Sequence, residues 1–322
     1  MKRLLARKMQ LRVGSPSEAD FARMVSEKTL KNCPVTVTDI TNARQIFGPD
    51  LPGLRGKTVR RKPSRVHTEY LSIPGNFYRQ NHYVTLLADV MFVCGMPFLI
   101  TLSRNIRLVT VEHLPSRTAE QLCSSLNKVR NLYARASFNV AVVLMDQEFD
   151  KLADKMDLLE MNTAGAREHV NEIERQIRTT KERCRSVVSS LPYRVYPKMV
   201  VIRLVYYVTM WMNAVPNAQG ISTKYSPREI VLRRELDCNK HAVADFGSYV
   251  QAHVDAVVTN RVEEFRTFHG LYLGTSGNIQ GTHLVFDLET GKVKKPRTIT
   301  PLPMPDSMIK AAEKWGRKDN RL

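Results

Sequence analysis

The chain has 322 residues, 43% of them hydrophobic and 25% charged, which excludes wholesale disorder and leaves room for a sizeable core with one or two appendages. Lys and Arg number 49 against 31 acids, giving a formal charge of +18 and a pI near 9.8, a balance that points to a polyanionic partner, nucleic acid before a membrane surface. Cysteines at 33, 94, 123, 184 and 238 are too scattered for a disulfide framework or a metal motif and suit a reduced intracellular compartment.

From the N-terminus, MKRLLARKMQLR lacks the apolar core of a signal peptide. Start signals at Ser15 to Asp20 and Asp39 to Phe47 predict a small helical region over 1–50. Pro52, Gly53, Gly56, Pro63, Pro74 and Gly75 then predict a linker over 51–80. Within it, LRGKTVRRKPSR (54–65) carries six basic residues and no acid. Arg60, Arg61 and Lys62 at its centre suit phosphate contact, although a solvated linker explains them nearly as well.

From Val84 the pattern changes to short apolar runs. Val84–Val93, Pro97–Ser103 and Ile106–His113 read as a three-stranded meander. The first run encloses one carboxylate, Asp89, whose ionised form costs several kcal/mol or more in an apolar strand unless it is paired, hydrogen-bonded or bound to metal. A helix follows over 116–136, opening on a Ser/Thr-x-x-Glu/Gln box and presenting Ala119, Leu122, Leu126, Val129 and Leu132 on one face. The next apolar strand, over 138–149, runs into a second carboxylate, Asp146. Strands covered on both sides by helices predict a mixed sheet of α/β class.

A third carboxylate is expected from the helix over 168–190, with apolar stripe Val170, Ile173, Ile177, Cys184 and Val188. At about 100° per residue, Glu174 stands roughly 70° from the stripe's centre, Glu172 about 130° and Glu182 about 150°. Glu174 is therefore the acid expected to flank the buried face. Arg178, Lys181 and Arg185 continue the same flank and suit a nucleic-acid backbone. Singly, each acid has an ordinary explanation: a strand-end Asp as a turn former, Glu174 as an exposed i,i+4 partner of Arg178. Converging, Asp89, Asp146 and Glu174 would repel unless cations lay between them. Two Mg²⁺ (or Mn²⁺) ions about 3.5 to 4 Å apart would neutralise them and serve an in-line displacement at phosphorus.

Further along, Met199–Val215 is apolar but interrupted by Arg203 and Asn213, so no membrane span is expected. Tyr206, Tyr207, Met210 and Trp211 within it read as core. His113, His169 and His241 read as structural rather than ligating. DLETGKV (287–293) reads as a hairpin turning on Gly291, and KVKKPR after it offers Lys294 and Lys295 to nucleic acid. A basic, helical tail is expected from Asp306.

The runs LLADVMFV, MDQEF and VNEIERQIR, in that order, resemble the D, D, E motifs of the integrases of copia-type long-terminal-repeat retrotransposons. PFLITLSRNIRLVTVEHLPSRTAEQL, YSPREIV and HGLYLGTSGNIQGTHLVFDLETGKV resemble that family's intervening strands, its Pro-containing step and its β-rich module. The resemblance implies a ribonuclease H-like core over 81–215, with a mixed five-stranded sheet flanked by helices, and an SH3-like β-rich module over 216–305. It implies Asp89, Asp146 and Glu174 as catalytic, metal-holding residues, DNA 3′-end processing and strand transfer into target DNA, a homo-oligomer and a nuclear location. Three departures stand against it. Gln147 replaces a usual Gly, only 27 residues separate Asp146 from Glu174, and no His/Cys zinc module precedes the core. Two other readings stay open: a catalytically silent DNA-binding remnant and a plain ribonuclease H-like nuclease.

Overall fold

The computed structural model describes residues 2–58, 70–145, 160–162, 170–254, 261, 263–278 and 281–319, with backbone alone at 160–162, 170 and 171. It divides into two compact units. A terminal unit is built from Met1–Val66, Pro192–Pro197 and Asn239–Leu322, and a central unit from His67–Leu191 and Lys198–Cys238. The N-terminal helices and the β-rich module, expected as separate regions, therefore belong to one unit, and the central unit extends beyond residue 215.

The chain starts with α1 (Lys2–Arg12), α2 (Glu18–Ser26), α3 (Val37–Phe47) and α4 (Leu51–Lys57). Local chemistry sets these starts. Ser17 caps α2 by accepting from the Asp20 N–H, Thr36 and Asp39 form a reciprocal capping box on α3, and Asp50 accepts from the Gly53 N–H at the head of α4. Helix α4 lies where a linker is expected. Its glycines are tolerated because the Asp50 cap and Pro52 in the first turn favour the start of a helix of only two turns. Ala6, Phe21, Val35, Ile40 and Ala43 make the small core between these helices, and Glu18 ties it by accepting from Arg7 at 2.9 Å and Arg44 at 2.6 Å.

The central unit follows with α5 (Gly75–Gln80), β1 (Tyr83–Val93), β2 (Met96–Ser103), β3 (Val109–His113), α6 (Ala119–Arg135), β4 (Asn139–Leu144), β5 (Glu160–Asn162), α7 (Val170–Ser189), α8 (Lys198–Met212) and α9 (Pro227–Leu232). Its sheet is ordered β3-β2-β1-β4-β5. The first three strands pair antiparallel, and β4 then joins β1 in parallel after the α6 crossover, with β5 parallel to β4. One face is covered by α6, whose Leu122, Leu126, Val129 and Tyr133 pack with Val84, Leu86, Ala88 and Val143. Each such burial contributes about 1.5–3 kcal/mol. Helices α7 and α8 pack against each other and on β1, β2 and β3. In α8 the buried side is Val200, Val201, Leu204, Val205, Val208 and Thr209. Tyr206, Tyr207, Met210 and Trp211, expected as core, are half-buried on its flank.

A single turn, α10 (Cys238–His241), leads back into the terminal unit, which is completed by β6 (Tyr249–His253), β7 (Thr267–Thr275), β8 (His283–Asp287), β9 (Val293–Lys294), β10 (Ile299–Pro301) and α11 (Asp306–Asp319). All pairings in the sheet β10-β6-β7-β8-β9 are antiparallel. Val250, Ala252, Tyr272 and Val285 form its core. Helix α11 is fastened to it by Trp315, whose Nε1 donates to the Leu288 carbonyl at 2.8 Å and whose ring meets Phe286 edge-on. Among the described residues no helix is long and apolar enough to cross a membrane, and all five cysteines are free thiols.

Candidate functional site

Asp89 lies inside β1, opposite Ile100 of β2, and is half-buried. Its Oδ1 accepts from the Val90 N–H at 2.6 Å. Strand alternation sends Val84, Leu86, Ala88 and Val90 to the core beneath α6, so Asp89 shares the opposite face with Leu87 and Met91. Helix α7 packs on that side of β1 and β2. The last couple of the parallel β1–β4 pairing is Leu87 with Leu144, and Asp89 stands two residues beyond Leu87. Asp146, two residues beyond Leu144 in the sequence, lies outside the described residues, as do Arg60, Arg61, Lys62 and His169.

Helix α7 buries Ile173, Thr180 and Cys184. With Thr180 buried and Ile177 and Val188 only half-buried, the centre of the buried face stands about 30° nearer Glu172 than the centre of the apolar stripe, so that Glu172 and Glu174 stand about 100° to either side of it. Glu174 is therefore not alone in flanking that face. It is exposed. Glu172 takes two cations from the β2–β3 loop, Arg107 at 2.9 Å and Arg104 at 3.6 Å, an arrangement that ties the first turn of α7 to the sheet. No local pattern announces this tie, because the partners lie 65 residues apart. Arg178 and Arg185 are exposed and Lys181 half-buried. At i, i+4, i+7 and i+11 from Glu174, the four side chains share one side of the helix.

Burial, with the Cys94 thiol adding to it, pushes the Cys184 thiol up to about 12, which makes it a packing group and not a nucleophile. His113 meets Phe98 edge-on, and burial holds its imidazole below the usual value. His241 is buried. Among the described residues, no three His, Cys, Asp or Glu side chains converge as a metal site, and the expected trio needs Asp146 to be complete.

Lys294, expected at a nucleic-acid surface, is engaged within its own sheet. Its Nζ sits 2.7 Å from Asp287 Oδ2 and 4.4 Å from the centre of the Phe268 ring. Asp287 is only 1% exposed and also accepts from the Glu289 and Thr290 N–H groups and the Thr290 hydroxyl. Burial alone would raise its carboxyl; the Lys294 hydrogen bond and these donors outweigh burial and hold it below the ordinary value. Lys295 is exposed.

No family model matches the chain, and no curated protein matches it. Among solved structures, the chain is similar to the crystal structure of the catalytic core domain of BIV integrase, at 15% identity and a TM-score of 0.34, over 47% of this chain and 94% of that one.

Proposed function

We propose that the central unit is an integrase-like, ribonuclease H-like polynucleotidyl transferase core acting on DNA in the nucleus, with the terminal sheet as its SH3-like module. The observation that supports this most is the sheet order β3-β2-β1-β4-β5. An antiparallel meander followed by a parallel strand beside β1 sets the end of β4 next to the strand that holds Asp89. The net charge of +18 supports a DNA partner.

In this reading Asp89, Asp146 and Glu174 hold divalent metal, and three carboxylates are the hard oxygen donors that Mg²⁺ or Mn²⁺ takes. The ions, when bound, supply activation of the attacking oxygen and stabilisation of the leaving one. The chain's own side chains do the rest. Asp89, on a rigid central strand, sets the position of the site. Arg178, Lys181 and Arg185, together on one side of α7, hold backbone phosphates beside it.

The test is divalent-metal-dependent strand transfer by the full chain on a DNA duplex with a free 3′ end. Asp89→Asn and Asp146→Asn should each lower it at least about a hundredfold. Equal rates for wild type and both variants would overturn the reading. One observation favours the second reading, a DNA-binding remnant without catalysis: Glu174 is exposed, and the other glutamate beside it is engaged by two arginines. That reading predicts no strand transfer from any of the three proteins and unchanged, salt-sensitive DNA binding.

A further inference from the structure

Within the terminal unit, a cleft of about 520 Å³ opens between α4 and the segment leading into β7. Its walls are Pro52 and Arg55 on one side and Arg261, Glu264, Phe265 and Arg266 on the other. Backbone and side chain join them. The Arg266 N–H donates to the Arg55 carbonyl at 2.8 Å, and the Arg55 guanidinium donates to His269 Nδ1 at 3.0 Å. Burial, with the Arg55 charge adding to it, holds His269 below its usual value and so keeps it a neutral acceptor.

Two features of this cleft are unusual together. Phe265 is 64% exposed although it lines the cleft, and Arg55 stands 5.3 Å from its ring centre. Three arginines, Arg55, Arg261 and Arg266, line the cleft against one acid, Glu264, which lies 3.9 Å from Arg261 in an exposed pair worth little. A solvated aromatic ring among arginines offers a stacking surface, and the arginines offer bidentate donors to phosphate oxygens. The volume lies in the range of small-ligand sites and exceeds what a single phosphate fills.

We infer that this cleft binds one unstacked nucleotide of a single-stranded nucleic acid, the base on Phe265 and the flanking phosphates on Arg261 and Arg266. A duplex keeps its base faces inside the stack and cannot use Phe265. An acidic peptide could use the arginines but has no base to lay on the ring. The inference shares only a polyanionic partner with the proposed strand transfer and needs none of Asp89, Asp146 or Glu174.

The experiment is fluorescence anisotropy of the full chain, in EDTA so that metal-dependent chemistry plays no part. The probes are labelled oligo(dT) and oligo(rU) of about twelve nucleotides, a size that such grooves accommodate, and a duplex of the same length. Phe265→Ala should weaken single-strand binding about tenfold. Phe265→Trp should keep it, and duplex binding should stay within about twofold of wild type. Arg266→Ala should lower the slope of log K against log salt by about 0.7 on the single strand. Preference for dT or rU says which strand the cleft takes. Phe265→Ala without effect, an equal loss on the duplex, or displacement of the strand by polyglutamate at matched charge would overturn the inference. Equal melting temperatures of wild type and variants would show that any loss is one of binding, and a melt more than about 5 °C lower would transfer the decision to Phe265→Trp.

Discussion

Arg228, at the head of α9, is 8% exposed, and its Nε meets no hydrogen-bond partner among the described residues. Burial and then the Arg234 charge lower its proton affinity, so the folded state tolerates this cation at a cost. Replacing it with an apolar side chain of similar length removes the cost. Arg228→Met should therefore raise the free energy of unfolding by about 1 kcal/mol, read from urea midpoints at constant slope. Asp287 is the opposite case, a buried charge whose partners are all in place. Asp287→Ala leaves Lys294 and the Thr290 hydroxyl without their acceptor and should cost about 2 kcal/mol, discounted because Lys294 is half-exposed. A melt of that variant unchanged from wild type would contradict the role given to the pair.

At the scale of elements, α7 carries two glutamates with different work. Glu172→Gln should loosen the tie to Arg104 and Arg107, costing about 0.5–1 kcal/mol because the pairs are partly solvated, and leave strand transfer alone. Glu174→Gln should leave the melt unchanged and remove strand transfer. The reverse pattern would move the third carboxylate from Glu174 to Glu172. The β8–β9 turn depends on α11 as much as on its own backbone. Gly291 has φ of +69°, and a Cβ there would lie 2.5 Å from the Trp315 ring. Gly291→Ala should cost about 1–3 kcal/mol, visible as a lower melting temperature with quenched or shifted Trp fluorescence.

For the molecule as a whole, burial holds His113, His269 and His283 below their usual 6.5. Below that pH the unfolded chain binds more protons than the folded one, so stability falls as the solution is acidified and is flat above about pH 7. Urea midpoints should drop between about pH 7 and pH 5, and Asp287, with its lowered value, adds a further loss as the pH falls below about 3.8, where the unfolded chain's carboxyl takes up a proton and the folded one does not yet. Midpoints independent of pH over the first interval would contradict the lowered proton affinity of these partly or fully buried imidazoles. What the sequence determined by itself is what depends on neighbours a few residues away. The caps at Ser17, Thr36 and Thr118, the turn at Gly291, the strand around Asp89 and the 3.6-residue period of α6 and α7 all follow from local backbone and side-chain chemistry. Tertiary structure decided the rest. The inward turn of Thr180, the Glu172 tie across 65 residues, the Lys294 pair and the Arg55 to His269 bond across 214 residues exist only once distant segments meet. Side chains with several local options are settled by whichever long-range partner the closed chain brings within hydrogen-bonding distance.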